Sequence, residues 1–188
     1  GKPIFDNALE SLLNLINDDD DEQSTKSEES LKLENNELDH IIQEGYYRIR
    51  AKHSGKVLDI FMASMRPGIV VTQYSELGGE NQSFYIKRVK GTKYYVILAR
   101  HSGLALDIDY ESKENGAPII QWSVTGRPSQ LWKFEQQNVD GSYFIVSKWS
   151  QKCLEVEAAS LENAAPMIQR DKESFNQASN QLFFLKKI

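Results

Sequence analysis

Three carboxylate residues, Asp59, Asp107 and Glu155, follow one another along the chain at intervals of 48 residues. Each comes directly after a leucine and directly before a β-branched residue. A carboxylate is a charged hydrogen-bond acceptor, and bonds to charged groups contribute about 1.5 to 3 kcal/mol where neutral ones contribute about 1 kcal/mol. Such carboxylates either accept hydrogen bonds from a ligand or cap a turn after the leucine, and both interpretations stay open at this point.

Combinations of residues that would support catalysis or hold a metal are missing from the sequence. His53 and His101 are equivalent by position, but Trp149 stands at the third such position, and a residue that tryptophan replaces is not a metal ligand. No His/Cys cluster has ligand spacing, and no Ser-His-Asp set or carboxylate pair falls outside the repeated pattern. Cys153 is the single cysteine, so an intrachain disulfide is impossible. We therefore predict a protein that is not an enzyme and that uses no metal and no cofactor.

The same 48-residue period organises residues 45 to 188, which are 144 residues or three units of 48. Other residue types keep the register as well: Tyr47, Tyr95 and Tyr143; Ile49, Ile97 and Ile145; Gln73, Gln121 and Gln169. A fixed period of this length is the signature of a repeat architecture.

Each unit holds four short alternating or β-branched runs that are separated by Gly, Pro, Asn and Ser, which is typical of strands. The twelve predicted strands are 46–50, 57–60, 69–74, 84–88, 94–98, 105–108, 119–122, 132–135, 143–147, 154–156, 167–170 and 183–185. A single unit would expose its apolar face and an unpaired edge, so the three units must close on one another. The fold class that follows is all-β.

The first 44 residues differ from the rest in charge. They carry three Lys/Arg against thirteen Asp/Glu, net −10, whereas residues 45 to 188 carry nineteen against fourteen, net +5. Apolar residues three and four apart predict a short amphipathic helix over 4–16, an acidic flexible linker follows over 18–30, and a weaker helical pattern covers 31–42. We divide the chain into an acidic extension, 1–44, and a β domain, 45–188. The first helix is interpreted either as a docking element for a partner or for another domain of a longer protein, or as a segment that packs on the β domain or frays.

Charge and hydropathy also limit the partners. The β domain has no Lys/Arg run of the kind that nucleic-acid binding requires, and no apolar run approaches the roughly 20 residues of a membrane span. Neither nucleic acid nor a membrane span is predicted.

The order of motifs within each unit resembles a known family. Gly-x-x-Leu-Asp-Ile, Asn-Gly-Ala-Pro and Gln-x-Trp/Phe elements, most complete in residues 103–132 and repeated with variations on either side, are similar to the ricin B-type lectins. The resemblance covers 45–188. It implies a β-trefoil, in which a six-stranded barrel is capped by three hairpins around a pseudo-threefold axis, with one sugar pocket per repeat.

The resemblance also implies which residues would bind sugar. The family places a carboxylate in the Leu-Asp element, an aromatic ring for the C–H face of the sugar at the end of the third strand, and an amide before Gln-x-Trp, since an amide both donates and accepts. In the first repeat these positions hold Asp59, Tyr74, Asn81 and Gln82, and in the second they hold Asp107, Trp122, Ser129 and Gln130. In the third they hold Glu155, Arg170 and Asn180, without a ring, so we predict that this pocket is inactive or adapted to another ligand.

By resemblance, the chain is expected to be a lectin module for galactose-type or related glycans and glycoproteins, with one or two working pockets. The resemblance further implies an extracellular setting and an attached toxin or glycoside hydrolase domain, reached through the acidic extension. Two alternatives stay open. The trefoil binds protein through its loops and has degenerate sugar pockets, in which case Arg170 and the inserted residues beside it matter more; or the −10 extension folds over the +5 domain and regulates it.

Overall fold

The computed structural model describes residues 41–188. The predicted helix over 4–16, the acidic linker and nearly all of the second helical pattern lie outside the described residues. The described part is all-β, as predicted, and its twelve strands are β1 (Gly45–Ala51), β2 (Val57–Ile60), β3 (Val71–Tyr74), β4 (Phe84–Arg88), β5 (Tyr95–Ala99), β6 (Ala105–Ile108), β7 (Ile119–Trp122), β8 (Trp132–Gln136), β9 (Tyr143–Ser147), β10 (Cys153–Val156), β11 (Met167–Arg170) and β12 (Leu182–Lys187). Within residues 41 to 188, no helix has the length and apolar character needed to cross a bilayer.

Six of the strands close into a barrel. The antiparallel pairs run β1–β4–β5–β8–β9–β12 and return to β1, so every barrel strand has a partner on both sides. The other six form three hairpins, β2–β3, β6–β7 and β10–β11, each joined to the barrel through its first strand. Closure leaves the barrel without an open edge, as the repeat required.

The repeated apolar residues fill the interior of the barrel. The ring of each Gln-x-Trp/Phe element and the leucine before each carboxylate are fully buried. These residues are Phe84, Trp132 and Phe183, with Leu58, Leu106 and Leu154. Because the aromatic residues stand at the start of β4, β8 and near the start of β12, the Gln-x-Trp elements are part of the core that all three repeats share.

The three hairpins are joined around the pseudo-threefold axis by glutamine side chains. The amide of each buried glutamine donates two hydrogen bonds to backbone carbonyls of a different repeat. Gln73 bonds Ser160 and Glu162, Gln121 bonds Ser64 and Arg66, and Gln169 bonds Ser112 and Glu114. The first repeat therefore holds the third, the second holds the first, and the third holds the second. We call these three residues the cap glutamines.

Residues 41 to 44, just before β1, pack on the barrel. Ile42 is buried in the main core, and its backbone N–H donates to the Tyr95 hydroxyl at 3.2 Å. The carboxylate of Glu44 pairs with the Lys87 ammonium at 3.2 Å. The chain thus enters the β domain across the barrel. The division of the chain at residue 44 stays a prediction.

Candidate functional sites

Each repeat brings a carboxylate, the end of a strand and a 3₁₀ turn together. The carboxylate lies on the first strand of the hairpin, and the residue at the end of the second strand stands near it. The 3₁₀ turns Glu80–Gln82, Pro128–Gln130 and Ser179–Gln181 supply the amides. A second set of 3₁₀ turns directly follows the carboxylate strands, and we call these the rim turns: Phe61–Ala63, Asp109–Glu111 and Glu157–Ala159.

The rim turns have an unusual backbone. The central residue of each has a positive φ: Met62 at 56°, Tyr110 at 52° and Ala158 at 53°. Non-glycine residues seldom adopt this region, and such strain often marks functional loops. Since the third repeat, which lacks the aromatic ring, has the same backbone, the conformation belongs to the trefoil framework and does not by itself indicate ligand binding.

In the first repeat, three of the four predicted residues converge. Asp59 is buried, and its Oδ2 accepts hydrogen bonds from the Asn81 amide at 3.1 Å and the Gln82 amide at 2.9 Å. Gln82 also donates to the Ser75 carbonyl and accepts from two backbone N–H groups, so its amide is fully engaged within the protein. Gln82 therefore positions the carboxylate. Tyr74 is half-buried at the end of β3.

In the second repeat, the carboxylate is less well satisfied. Asp107 is buried, and Oδ2 accepts one amide hydrogen bond, from Gln130 at 2.9 Å. The shorter Ser129 makes no side-chain hydrogen bond of ordinary geometry, although it lies close to Asp107. Among the described residues, Asp107 Oδ1 and Ser129 Oγ are both buried without a partner. Within residues 41–188, one carboxylate oxygen and one hydroxyl at the centre of this site thus lack a hydrogen bond of ordinary geometry.

A cavity of about 380 Å³ opens over Asp107. Ile108 and Ile120 contribute apolar lining, and Trp122, whose side chain is 44% exposed, forms a wall. The volume lies at the lower end of the range found for small-molecule sites, and the mixture of apolar walls with few polar groups is also typical of them. The cavity also reaches residues that the sequence analysis did not select: Gly68, Asp109, Tyr110, Glu111, Thr125 and Arg127.

In the third repeat, the Arg170 side chain binds the carboxylate of Glu155. Arg170 stands where the ring is expected, and its Nε donates to Glu155 Oε1 at 3.1 Å. Gln181 donates to the other carboxylate oxygen at 2.8 Å. Both oxygens of Glu155 are therefore engaged, and the side chain is only 4% exposed. This geometry supports the prediction of an inactive third sugar pocket, which stays a prediction.

Burial raises the pKa of Asp59 and of Asp107. Burial raises the pKa of Asp59 above the ordinary 3.8, while hydrogen bonds from Gln82 and Asn81 and the nearby His101 act in the opposite direction. Burial likewise raises the pKa of Asp107, and the Gln130 amide is the main group that opposes the increase. A buried carboxylate with too few donors is a group whose charged form a ligand's hydroxyl groups would stabilise.

The rim turns are held by ring N–H groups of a neighbouring repeat. His101 Nε2 bonds the Ser64 carbonyl at 2.9 Å, and His53 Nε2 bonds the Ser160 carbonyl at 2.8 Å. In the remaining case Trp149 Nε1 donates to the Glu111 carbonyl at 2.6 Å. Histidine and tryptophan share a ring N–H donor, which explains why one replaces the other in the repeat.

The chain is similar to a known protein family. The model of a family described as "Ricin-type beta-trefoil lectin domain-like" matches residues 38–122 and, in an overlapping match, 80–170. No curated protein matches the chain.

Three solved structures illustrate the similarity. A designed 3-fold symmetric protein, ThreeFoil, is 40% identical, with a TM-score of 0.72; the match covers 77% of this chain and 99% of that one. An exo-beta-1,3-galactanase from Clostridium thermocellum is 32% identical, with a TM-score of 0.73, over 79% of this chain and 31% of the enzyme. A mosquitocidal holotoxin is 26% identical, with a TM-score of 0.71, over 79% of this chain and 18% of the toxin. The chain thus matches the whole of the designed protein but less than a third of each natural one.

Proposed function

The chain belongs to the ricin-type β-trefoil lectin domain-like family, whose fold supports lectin-type sugar binding, and we propose that it is a non-catalytic module that binds galactose-type or related glycans. The first and second pockets do the binding, through Asp59 and Asp107. Tyr74 and Trp122 stack on the sugar, and Asn81 and Ser129 contact its hydroxyl groups. Gln82 and Gln130 act as positioning residues that orient the carboxylates.

One observation carries the proposal: the cavity of the second repeat combines an incompletely hydrogen-bonded carboxylate, Asp107, with an exposed indole ring, Trp122. A sugar presents adjacent hydroxyl donors on its edge and an apolar C–H surface on its face. The carboxylate suits the edge and the indole suits the face. A trefoil that served only as a scaffold would gain no stability from an exposed tryptophan beside a buried charge.

Each pocket binds weakly alone. Two or three hydrogen bonds and one stacking contact amount to about −4 kcal/mol, which corresponds to a dissociation constant of about 1 mM. Two pockets on one chain raise the apparent affinity for a surface that displays many copies of the glycan.

The larger similar proteins support a proposal about the setting of the module. The galactanase and the holotoxin are both much longer than their matched regions, which supports a role as the targeting part of a glycan-directed enzyme or toxin. In that role, the module works outside the cell, and the acidic extension connects it to its partner domain.

A glycan array tests the function with the full chain and two variants. Asp59→Asn/Asp107→Asn keeps the shape of both side chains and replaces the charged acceptors by neutral ones, while Glu155→Gln makes the same type of change in the third repeat as a matched control. We expect wild type and Glu155→Gln to bind galactose-type glycans and the double variant to lose about 2- to 30-fold in affinity per pocket, from the roughly 0.5 to 2 kcal/mol by which charged hydrogen bonds exceed neutral ones. Circular dichroism verifies that all three are folded.

Two outcomes would contradict the proposal. If wild type binds no glycan, the module is not a lectin. If the double variant binds as well as wild type, the pockets do not carry the binding, and the protein-binding alternative, with Arg170 and the longer loop beside it, becomes the better explanation.

A further inference from the structure

We propose that the second pocket is an extended cleft for at least two consecutive units of a neutral oligosaccharide. The first unit lies on Asp107 and Trp122, and the second lies between Tyr110 and an ion pair formed by Glu111 and Arg127. This inference rests on the proposed function, because it names the class of glycan that the same pocket takes.

The lining of the cavity extends beyond Asp107 and Trp122, the residues of the first unit. Its lining runs from Gly68 and Trp122, past Asp107, to the rim turn and the loop that holds Thr125 and Arg127. Gly68 lies directly behind the indole, since a Cβ at this position would be 3.5 Å from Trp122 Cζ3. The backbone of the first repeat thus packs against the indole, and the lining beyond the first unit is supplied by the rim turn and by the loop with Thr125 and Arg127.

Tyr110 is an aromatic residue without a structural role in the fold. Its side chain is 95% exposed, and its backbone has a φ of 52° at the centre of the rim turn. The equivalent residues are Met62 in the first repeat and Ala158 in the third, so the trefoil does not require a ring here. Placed on the lining of the cleft, the ring offers an apolar face to a second sugar, with a contribution on the order of 1 kcal/mol.

The ion pair that includes Glu111, the residue after Tyr110, supplies polar contacts. Arg127 Nη1 donates to Glu111 Oε1 at 3.1 Å, and so links the loop before β8 to the rim turn. Both side chains are well exposed, so the pair adds little stability and leaves donors of the guanidinium accessible. The backbone of Glu111 is fixed by the hydrogen bond from Trp149 described above, so the turn is held in place before a ligand arrives.

The charges of the lining determine the class of oligosaccharide. Of the described residues that line the cavity, Asp107, Asp109 and Glu111 are acidic and only Arg127 is basic. The cleft is therefore net negative. The negative charge of the lining would repel a sugar that carries a carboxylate, whereas it would not repel a neutral sugar.

Calorimetry of the full chain tests the proposal. An Asp59→Asn background weakens the first pocket, so the titrations report mainly the second. The ligands are galactose, the neutral disaccharide lactose, and a disaccharide of galactose linked to glucuronic acid. We expect lactose to bind several-fold more tightly than galactose, and the acidic disaccharide to bind more weakly than lactose.

Variants at the far end of the cleft separate the two units. Tyr110→Ala should weaken lactose binding by about 2- to 10-fold and leave galactose binding unchanged, as should Arg127→Ala. Met62→Ala truncates the equivalent rim-turn residue beside the weakened first pocket. It is the matched control and should alter the binding of neither lactose nor galactose. Equal affinity for the two neutral sugars, or an equal effect of Tyr110→Ala on both, would overturn the extended cleft and leave the proposed function standing. Binding of neither sugar by protein that retains Asp107 would overturn both.

Discussion

The cap glutamines offer a test of how the three repeats are held together, because their side-chain hydrogen bonds differ in one respect. In the second repeat Gln121 makes three side-chain hydrogen bonds: two to carbonyls of the first repeat, at 2.8 and 2.7 Å, and one from the Ser102 hydroxyl at 2.8 Å. In the third repeat Gln169 makes the two carbonyl bonds, but its Oε1 is buried without a partner in the part of the chain that the structure describes.

Gln121→Ala should destabilise the protein strongly. It leaves two carbonyls and one hydroxyl without their partner, at about 1 kcal/mol each, and the truncated side chain adds a cavity cost, so we expect about 3 to 5 kcal/mol in all. This is a large part of the stability of an ordinary domain. Gln169→Ala creates the same cavity and loses the same two carbonyl bonds, but no hydroxyl bond. We therefore expect it to cost about 1 kcal/mol less.

Chemical denaturation of the two variants and wild type measures the difference, provided that the denaturant slope is the same in all three. The cap glutamines also hold the segments that follow the rim turns, so Gln121→Ala should weaken glycan binding at the first pocket more than at the second. The reasoning would be refuted if Gln169→Ala were as costly as Gln121→Ala, or if either variant lost less than about 1 kcal/mol, because the carbonyl bonds would then not be joining the repeats.

Three further predictions concern titratable groups. Burial raises the pKa of Asp107 above 3.8, so its charged form destabilises the folded state. Asp107→Asn should therefore raise the unfolding temperature at pH 7. The gain should vanish as the pH falls below about 4, where the aspartate of the wild type is neutral like the asparagine of the variant. The pKa of Asp140 is lowered to about 2 by hydrogen bonds from Lys52 and from Ser142, so Asp140→Asn should lower the stability at pH 7. The loss should be small because solvent screens this exposed pair, and it should decrease as the pH falls from about 4 through 2; a loss that did not change with pH would exclude the electrostatic cause. Burial raises the pKa of the Cys153 thiol to about 12, so a thiol-reactive disulfide should label it only after unfolding, and fast labelling of the folded protein would contradict the burial.

The fold was accessible to sequence analysis because closure constrains the repeated positions. A residue such as Leu106 must be apolar in all three units, since it packs in the barrel that all three units share. The predicted order of twelve strands is confirmed, and the differences are at their ends: β3 begins at Val71, two residues later than predicted, and β12 runs from Leu182 to Lys187, which adds three residues to the prediction. Strand ends depend on pairing with distant partners, and a local pattern does not contain that information.

The candidate site was only partly accessible. The convergence of Asp59 with Asn81 and Gln82 follows from the repeat, because these positions hold related residues in each unit. Tyr110 and Arg127 have no such signal, since the first repeat has methionine and glycine at the equivalent positions. Their contribution depends on which loops the cavity joins. Nor did the sequence reveal that Arg170 would turn back onto Glu155, because an exposed arginine has many rotamers and only the fold places a buried carboxylate within its reach.

These contrasts explain how one scaffold can hold three different pockets. The residues that close the trefoil, such as the cap glutamines, are buried, and a change there costs several kcal/mol. The residues that distinguish the pockets, Trp122 and Arg170 at one position and Tyr110 at another, are at least partly exposed at the ends of strands or in turns. Exposed substitutions usually alter stability by less than about 0.5 kcal/mol. The pockets can therefore diverge in ligand while the fold keeps its threefold register, and the occupied third pocket beside the open second one is what such independence predicts.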